Sequence, residues 1–356
     1  MSARLLLAGY FGCGNFGDDA ILMGFIEGIR QDGHAFSVMA KNPERMFHTY
    51  GMTAIPRFDN SQVKGAIEEC DALVFPGGSI FQDVTSVRSV MYYANLVKMA
   101  KKAERKVILL GQGVGPLNTY LGKQFAVGAF NSADAIVVRD PQSAATLRSL
   151  GVRVNPKLGA DMAFLLPEPD VSSESQSFSA GGMKSIGISV RPFGKDKKAL
   201  IQVFADLSRL LYENKYVPLM FAMDEAEDQP LIQEISKAQG GKVPELKGIG
   251  GPVILQQRIA RLEAVIAMRL HAGILAATVN VPAFMIAYDP KVTAFANAMG
   301  FPTPPSMQGL TGQRIFDDFQ NFIKTRERTV ESIRRRRPEF AKQAQVSIDV
   351  LREVLG

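Results

Sequence analysis

The sequence predicts an α/β protein made of two Rossmann-like domains that face each other across a cleft. Short apolar runs, each ending in glycine or a polar turn, alternate with segments long enough for helices. This is the pattern of βαβ units around a parallel sheet. The chain has 356 residues, more than one hydrophobic core usually organises. We therefore expect two domains of the same architecture.

The first half of the chain contains the strand pattern of one such domain, residues 1–168. The predicted strands are RLLLAGYFG from Arg4, FSVMAKN from Phe36, DALVFPGG from Asp71, KVILLGQG from Lys106 and AIVVRD from Ala135. The intervening segments DDAILMGFIEGIR and SVMYYANLVKMAKKAER are predicted helices. The order of these elements predicts a mainly parallel sheet.

A segment rich in proline, serine and glycine, residues 169–184, is predicted as a linker. Strands resume in a second domain, residues 185–314, as IGISVRP from Ile186, YVPLMFAM from Tyr216, PVILQ from Pro252, AVIAMRLH from Ala264 and PAFMIAY from Pro282. Residues 315–356 are predicted as a helical tail that is interrupted at Pro338. Its last stretch places Val346, Val350, Leu351 and Val354 on one face, so we expect it to pack back across a domain.

Composition limits the class of protein. Apolar residues make up 46% of the chain and charged residues 21%, which excludes a disordered or fibrous chain. Cys13 and Cys70 are far apart and form no CxxC, so we expect no disulfide, no zinc site and a reducing compartment. The apolar run at the N-terminus is too short for a signal peptide or a membrane span, which favours a cytoplasmic protein.

The net charge of +6 permits attraction to phosphates, anionic lipids or nucleic acids. The densest basic run, Arg334 to Arg337, has no aromatic residues interleaved with it, so we expect no nucleic-acid partner. We interpret this run as a solvated helix face. A peripheral contact with the inner membrane surface is the alternative.

A glycine loop, GYFGCGNFGDDA from Gly9 to Ala20, follows a predicted strand and opens a predicted helix, where backbone N–H groups can bind an anion. Its glycines satisfy GxGxxG, but Asp18 and Asp19 at the helix start would repel a pyrophosphate. One reading is a tight turn whose carboxylates stabilise the helix dipole. In the other, Asp18 accepts a proton from a hydroxyl substrate and Asn15 hydrogen-bonds the same substrate.

Two further glycine turns follow predicted strands. FPGGSIFQD contains Gly77 and Gly78, and GQGVGPL contains Gly113. The carboxyl ends of parallel strands meet at one edge of a sheet, so all three glycine segments are expected at the edge where ligands bind. Glycines there let a substrate approach the backbone, although each alone is also an ordinary turn.

Arg139 and Arg269 each follow a buried strand, one in each half of the chain. Such a charge either pairs with a local carboxylate, which for Arg139 is Asp140, or binds a ligand. Two arginines facing one cleft suit an anionic ligand that bridges both domains. His271 lies two residues after Arg269 and is a candidate general acid or phosphate ligand, with a structural histidine as the alternative.

Several motifs are missing from the sequence. It contains no HExxH, no acidic pair with metal spacing and no GxSxG elbow, so metal-dependent hydrolysis and serine-hydrolase chemistry lose support, and we expect no metal or other cofactor. Cys13 in the first glycine loop is either a reactive thiolate or a small buried thiol.

As an ordered set, these motifs resemble the polysaccharide pyruvyltransferases of the CsaB type. The resemblance spans most of the chain. It rests on GYFGCGNFGDDAIL, FPGGSIFQD, GQGVGPL, VVRDPQSAATLRSLGV, GADMAFLL, ISVRPF and AMRLHAGILAATVNVPAFMIAYDPKV.

The resemblance implies a fold like that of the GT-B glycosyltransferases. It also implies transfer of pyruvate from phosphoenolpyruvate to a sugar of a cell-wall or extracellular polysaccharide precursor, as a ketal across two hydroxyls, with release of phosphate. By matching motif, Arg139 and the Arg269, Leu270, His271 triplet would bind phosphoenolpyruvate, and Asp18 would act on the acceptor side. The acceptor that the resemblance implies is a sugar or a lipid-linked saccharide.

Two other functions compete with this one. A nucleotide-sugar-dependent glycosyltransferase shares the two-domain fold, and fold analogy does not separate the two reactions. A sugar-binding or scaffold protein without catalytic activity is the third reading. The feature that favours pyruvyl transfer is the pair of arginines together with the Arg-Leu-His triplet.

Overall fold

The structure, a computed structural model, describes residues 2–84, 86–169 and 182–356. The chain forms two compact units. The first domain comprises Met1–Pro167 and Glu339–Gly356, and the second comprises Glu168–Pro338. Residues 170–181 of the predicted linker lie outside the described residues.

The first domain is built on one parallel sheet. Its strands are β1 (Arg4–Phe11), β2 (Ala35–Ala40), β3 (Ala54–Pro56), β4 (Ala72–Phe75), β5 (Gly78–Phe81), β6 (Lys106–Val114), β7 (Ala135–Val138) and β8 (Lys157–Leu158). They lie in the order β3-β2-β1-β4-β6-β7-β8, with β5 paired to β6. All of these pairs are parallel, so the five predicted strands are confirmed.

Helices cover both faces of this sheet. They are α1 (Phe16–Gly28), α2 (Pro43–Tyr50), α3 (Asn60–Glu69), α4 (Val87–Lys102), α5 (Tyr120–Ser132) and α6 (Pro141–Ser149), followed by a 3-10 helix (Met162–Leu165). Successive side chains of a strand point to opposite faces. Accordingly, Leu5 and Leu7 of β1 join a core with Phe25 of α1, whereas Leu6 joins the core of Tyr93 of α4.

The second domain contains a smaller parallel sheet. Its strands are β9 (Lys184–Ser189), β10 (Tyr216–Met220), β11 (Ala264–Ala267) and β12 (Ala283–Met285), in the order β10-β9-β11-β12. Its helices are α7 (Lys197–Glu213), α8 (Glu225–Ala238), α9 (Pro252–Ile259), α10 (Leu270–Thr278), α11 (Pro290–Met299) and α12 (Gly312–Lys324). The prediction of a strand at PVILQ is wrong, because this segment begins α9.

The C-terminal segment differs from the predicted separate tail. Helix α12 buries Ile315 and Phe319 in the core of the second domain. Helix α13 (Arg326–Leu355) runs through Pro338 without a break, so the predicted interruption there is wrong. A proline inside a helix removes one hydrogen bond and costs about 3 kcal/mol. Burial of Ile333 and Ala344, on either side of Pro338, offsets this cost.

The last turns of α13 belong to the first domain. Val350 and Leu351 are buried in its core, and Val346 and Val354 pack against the same cluster, as the spacing of these residues predicts. Among the described helices, none is long and apolar enough to cross a lipid bilayer.

Candidate active site

The candidate residues of the first domain gather at the carboxyl edge of its sheet. Asp18 lies in the first turn of α1, after β1, and Arg139 directly follows β7. Gly78 opens β5, and a β-carbon placed on it would lie 3.0 Å from Asp18 Oδ1. Gly113 lies in β6, and a β-carbon placed on it would lie 2.8 Å from Arg139 Nη2. The predicted convergence of the glycine segments is therefore present within this domain.

The two carboxylates of the first glycine loop have different environments. Asp19 is fully buried, and it accepts hydrogen bonds from the Gly12 N–H at 3.2 Å and the Tyr50 hydroxyl at 2.9 Å. Asp18 is half-buried at the sheet edge. Asp19 thus holds the loop in shape, while Asp18 is the carboxylate that a ligand can reach.

Asn15 caps helix α1. Its side-chain oxygen accepts hydrogen bonds from the backbone N–H groups of Gly17 at 3.0 Å and Asp18 at 3.3 Å. This is the usual way to satisfy the first N–H groups of a helix. Asn15 therefore orients the segment that carries Asp18, and its predicted contact with substrate stays a prediction.

The second glycine segment, predicted as a turn, also contains strand β5. Gly77 and Gly78 have φ angles of +152° and +93°, in the region that favours glycine. A β-carbon on Gly77 would also lie 2.8 Å from Ile21 of α1. These two glycines let the backbone approach α1 and Asp18 closely.

Arg139 is held by three oxygen ligands and its side chain is only 7% exposed. One guanidinium nitrogen donates to Asp161 Oδ2 at 2.9 Å and another to the Ser79 hydroxyl at 2.8 Å. The predicted partner Asp140 lies farther away, at 3.6 Å. Sequence reasoning missed Asp161 and Ser79, although both lie in the recognised segments GADMAFLL and FPGGSIFQD.

Arg269 is oriented in a comparable way within the second domain. Its Nε lies 3.1 Å from both carboxylate oxygens of Asp228, and Nη2 donates to Glu227 at 2.8 Å. Asp228 is fully buried and also accepts from the backbone N–H groups of Met223 and Asp224, at 3.0 and 2.9 Å. Sequence reasoning missed Asp228 and Glu227, because neither is near Arg269 along the chain.

The charges of this pair are mutually stabilising. Burial lowers the pKa of Arg269, but the Asp228 carboxylate and the hydrogen bonds to Asp228 and Glu227 outweigh it and raise the pKa above its ordinary value. We assign Asp228 as ionised, because its two oxygens accept hydrogen bonds from a guanidinium and two backbone amides. Arg269 is thus a fixed positive charge at the carboxyl end of β11.

Leu270 and His271 are the first two residues of α10, directly after Arg269. All three are half-buried. The Arg-Leu-His triplet therefore lies together at the carboxyl edge of the second sheet, as the sequence predicts.

Cys13 lies in the first glycine loop, between β1 and α1. Burial raises the pKa of the Cys13 thiol above its ordinary 9.0, which favours the protonated thiol over the thiolate.

Within the ranges that the structure describes, His, Cys, Asp and Glu side chains form no group of three that could hold a metal ion.

Comparison with solved structures identifies the fold. Similar structures include MnaA of S. aureus with UDP (11% identity, TM-score 0.66, covering 99% of this chain and 96% of that chain). UDP-GlcNAc 2-epimerase of Neisseria meningitidis bound to UDP-GlcNAc has 11% identity and a TM-score of 0.64, covering 99% and 100%. Alr3699/HepE of Anabaena in complex with UDP has 13% identity and a TM-score of 0.63, covering 100% and 99%. These likenesses establish an α/β fold of two Rossmann-like domains, similar to GT-B.

Comparison of the sequence identifies the family. A curated relative, the amylovoran biosynthesis protein AmsJ of Erwinia amylovora, is 21% identical, with 99% of this chain and 100% of that protein covered. The family described as "Polysaccharide pyruvyl transferase" matches residues 15–290, a range that includes Asp18, Arg139 and His271. The resemblance seen in the motifs is confirmed, and the chain belongs to the polysaccharide pyruvyl transferase family.

Proposed function

We propose that the protein transfers pyruvate from phosphoenolpyruvate to a saccharide of a cell-wall or extracellular polysaccharide precursor, forms a cyclic ketal and releases phosphate. Family membership supports pyruvyl transfer. The observation that carries the donor assignment is that Arg139 and Arg269, which follow strands of the two sheets, are each oriented by a buried carboxylate, Asp161 or Asp228.

Phosphoenolpyruvate matches these arginines in charge and geometry. It carries a carboxylate and a phosphate, and a guanidinium offers planar pairs of N–H donors to such groups. An arginine already fixed by a carboxylate loses little side-chain entropy when it binds a ligand. We assign both arginines, together with Leu270 at the start of α10, to the donor.

His271 is assigned as the general acid. It lies two residues after Arg269 in the first turn of α10, and in the proposed role its imidazole reaches the donor that Arg269 binds. The reaction needs a proton at the methylene carbon of phosphoenolpyruvate, and imidazolium is an effective donor near neutral pH. Protonation places positive charge on the carbon that bears the phosphate oxygen.

Asp18 is assigned as the base for the acceptor. It is the accessible carboxylate of the first glycine loop, and Gly77, Gly78 and Gly113 keep β-carbons away from this edge. In the proposed role it takes the proton of the first sugar hydroxyl as that oxygen attacks the cationic carbon. Asn15 is proposed to hydrogen-bond the same acceptor.

The bonds and protons balance over two additions. The first hydroxyl oxygen bonds to the cationic carbon and its proton passes to Asp18. The carbon–oxygen bond to phosphate then breaks, and the second hydroxyl oxygen closes the ketal ring at the same carbon. Of the two hydroxyl protons, one replaces the proton used at the methyl group and the other leaves with phosphate. No oxidation or reduction occurs, and the scheme uses no cofactor.

The first test measures phosphate release from phosphoenolpyruvate with and without a panel of saccharide acceptors, followed by mass analysis of the product. We expect acceptor-dependent release and the mass gain of a pyruvate ketal. An enolpyruvyl transferase would instead leave the double bond in its product. Turnover of a nucleotide-sugar, with no phosphate release for any acceptor, would contradict the proposal and favour glycosyl transfer.

Variants separate the roles of the residues. His271→Ala and Asp18→Asn are expected to lower kcat at least about a hundredfold with the melting temperature unchanged, as for other general acids and bases. The matched control is His34→Ala, at the opposite, amino-terminal edge of the first sheet. Unchanged phosphate release in His271→Ala would remove the acid assignment.

We also propose that the protein acts in the cytoplasm and touches the inner face of the membrane through the exposed part of its basic run, Arg334 and Arg335. Anionic lipids attract such residues at about 1 kcal/mol each.

A further inference from the structure

A pocket of about 600 Å³ opens beside the first glycine loop. Its lining includes Gly12 and Cys13 after β1, Lys41 after β2, Arg45 of α2 and Pro56 at the end of β3. These strands are neighbours in the sheet. The pocket therefore lies at the carboxyl edge of three adjacent parallel strands, where α/β domains bind ligands.

The side chains that line this pocket carry more positive than negative charge. Lys41 and Arg45 line it together with one acidic residue, Glu44. Arg57, directly after Pro56, is 7% exposed, and its Nε has no hydrogen-bond partner. An excess of basic groups in a pocket of this size suits a ligand with a negative charge.

Aromatic side chains flank the same edge. The guanidinium of Arg57 lies 5.7 Å from the ring centre of Tyr10 and 5.0 Å from that of Phe58. These two rings remain 41% and 70% exposed. Tyr10 and Phe58 are each two residues away in sequence from the pocket residues Gly12 and Pro56.

Hydrogen bonds hold the buried side of this aromatic group. Arg57 donates to the Tyr93 hydroxyl at 3.1 Å and to the Gly9 carbonyl at 3.3 Å, and Tyr92 donates to the Arg57 carbonyl at 2.8 Å. Cation–π contacts of this kind stabilise the ring positions. The exposed rings of Tyr10 and Phe58 present a flat apolar surface, which matches the C–H face of a sugar ring.

The pocket also lies close to Asp18. Gly12 lines the pocket, and its N–H donates to Asp19 at 3.2 Å, next to Asp18 in the first turn of α1. A ligand in the pocket would therefore approach the carboxylate that we assign as the acceptor base.

We propose that this pocket binds the acceptor through an acidic group, so that the acceptor is an anionic saccharide. A phosphate or carboxylate of the acceptor lies against Lys41 and Arg45, and a neighbouring sugar ring stacks on Tyr10. This inference rests on the proposed function, because it names the substrate class of the same site.

The test measures binding of galactose 1-phosphate, glucuronic acid and galactose to the full chain by calorimetry, without phosphoenolpyruvate. We expect at least one anionic sugar to bind roughly tenfold or more tightly than galactose, because charged hydrogen bonds favour the complex. Comparison of galactose 1-phosphate with glucuronic acid tells whether the acidic group is a phosphate or a carboxylate.

The double variant Lys41→Ala/Arg45→Ala is expected to lose this preference and to bind all three sugars with similar affinity. Lys123→Ala/Arg148→Ala removes the same charge from the exposed faces of α5 and α6 and is expected to behave as wild type. Tyr10→Ala is expected to weaken all three sugars by a similar factor.

Equal affinity of wild type and Lys41→Ala/Arg45→Ala for every sugar would overturn the proposal. This includes the case in which galactose 1-phosphate binds at Arg139 or Arg269. Absence of any preference in wild type would overturn it as well. The binding assay is independent of turnover, so a protein that passes it but releases no phosphate from phosphoenolpyruvate would contradict the proposed reaction and leave the pocket assignment intact.

Discussion

Arg269 donates to two carboxylates of different exposure. Asp228 is fully buried and acts as a permanent partner of Arg269. The side chain of Glu227, by contrast, is 50% exposed and accepts a hydrogen bond from Nη2 at 2.8 Å. An anionic ligand that approaches this nitrogen competes with Glu227 for the same donor. The geometry therefore separates an orienting carboxylate from one that a ligand can displace.

Glu227→Gln is accordingly expected to strengthen donor binding. Removing an exposed ion-pair partner is worth up to about 1 kcal/mol, so we expect the KM for phosphoenolpyruvate to fall about two- to fivefold with kcat unchanged. Steady-state phosphate release measures both constants. Glu234→Gln on the same helix, which removes an ion pair with Lys197, is the control and should leave KM unchanged. A raised KM in Glu227→Gln would mean that Glu227 orients Arg269.

Asp83 makes the stability of the first domain depend on pH. Burial raises the pKa of Asp83, but hydrogen bonds from the Thr119 hydroxyl and from the Asn118 and Thr119 N–H groups, at 2.6 to 2.7 Å, outweigh burial and hold the pKa below its ordinary 3.8. A carboxyl with a lowered folded pKa stabilises the fold above its unfolded pKa. This stabilisation is lost as pH falls through the folded value.

We therefore expect Asp83→Asn to reduce the free energy of unfolding by about 1–3 kcal/mol at pH 6. The difference from wild type should shrink below about pH 3.8. Urea unfolding across this pH range measures the effect. Asp196→Asn at the N-cap of α7 is the control, because asparagine caps a helix as well as aspartate does. A difference that did not change with pH would rule out the ionised carboxylate as its source.

Residue identity predicts candidates but not partners. Arg139 and Arg269 follow strands, and this position alone nominates both. Their orienting carboxylates, Asp161 and Asp228, are 22 and 41 residues away in sequence, and only the folded domain brings them into contact. The locally predicted ion pair of Arg139 with Asp140 is present at 3.6 Å, but the shorter contact, to Asp161 at 2.9 Å, is not visible from local sequence.

At the scale of elements, close packing of β6 against Arg139 explains why glycine stands at position 113. A β-carbon there would lie 2.7 Å from the Ser79 hydroxyl and 2.8 Å from Arg139 Nη2, so both side chains would have to move. Gly113→Ala is expected to raise the KM for phosphoenolpyruvate about tenfold or more by displacing the guanidinium. Steady-state kinetics and the melting temperature distinguish this from loss of the fold.

Gly128→Ala provides the matched control. Gly128 lies inside α5, and a β-carbon placed on it meets no atom within 4 Å. Alanine favours a helix over glycine by about 0.8–1.0 kcal/mol, so this variant should melt slightly higher and keep the wild-type KM. If Gly113→Ala also kept the wild-type KM, the added methyl group would not displace Arg139 from the donor.

Hydrophobic periodicity and the positions of glycine and proline predict most elements of this fold, and the exceptions have physical causes. A short apolar run such as PVILQ fits either a buried strand or a helix. Pro252 at its first position, whose φ suits the first turn of a helix, is the signal that favours α9. Pro338 predicts a break in the helix, and this prediction is wrong because tertiary packing on both sides of Pro338 outweighs the local cost of a proline inside a helix.

At the scale of the whole molecule, the path of the chain is what sequence patterns convey least. The apolar face of the last helical stretch predicts that it packs on a domain, and Leu351 does so. Nothing local indicates that residues 339–356 join the first domain whereas α12 joins the second. These contacts join residues hundreds of positions apart, so they follow from the complete fold.

The basic run of α13 combines two kinds of arginine. Arg336 donates to the carbonyls of Asn297 and Ala298 near the end of α11, and Arg337 donates to that of Thr278 at the end of α10. Cationic side chains at helix C-termini satisfy carbonyls that lack intrahelical partners. Arg334 and Arg335 are exposed, so the run is only in part the solvated helix face that its sequence suggests.

The two halves of the run are therefore expected to respond differently to neutralisation. Arg336→Gln/Arg337→Gln should lower the free energy of unfolding by about 1–3 kcal/mol, because helix-end carbonyls lose their donors. Arg334→Gln/Arg335→Gln should leave stability unchanged.

The same Arg334→Gln/Arg335→Gln variant should weaken binding to phosphatidylglycerol vesicles roughly tenfold or more, because each basic residue near the surface contributes about 1 kcal/mol. Vesicle sedimentation at two salt concentrations, together with thermal unfolding, measures both effects. Electrostatic attraction to anionic lipid is screened within about 10 Å at 0.1 M salt. If neither the Arg334→Gln/Arg335→Gln variant nor added salt reduced vesicle binding, these arginines would be excluded as a membrane contact.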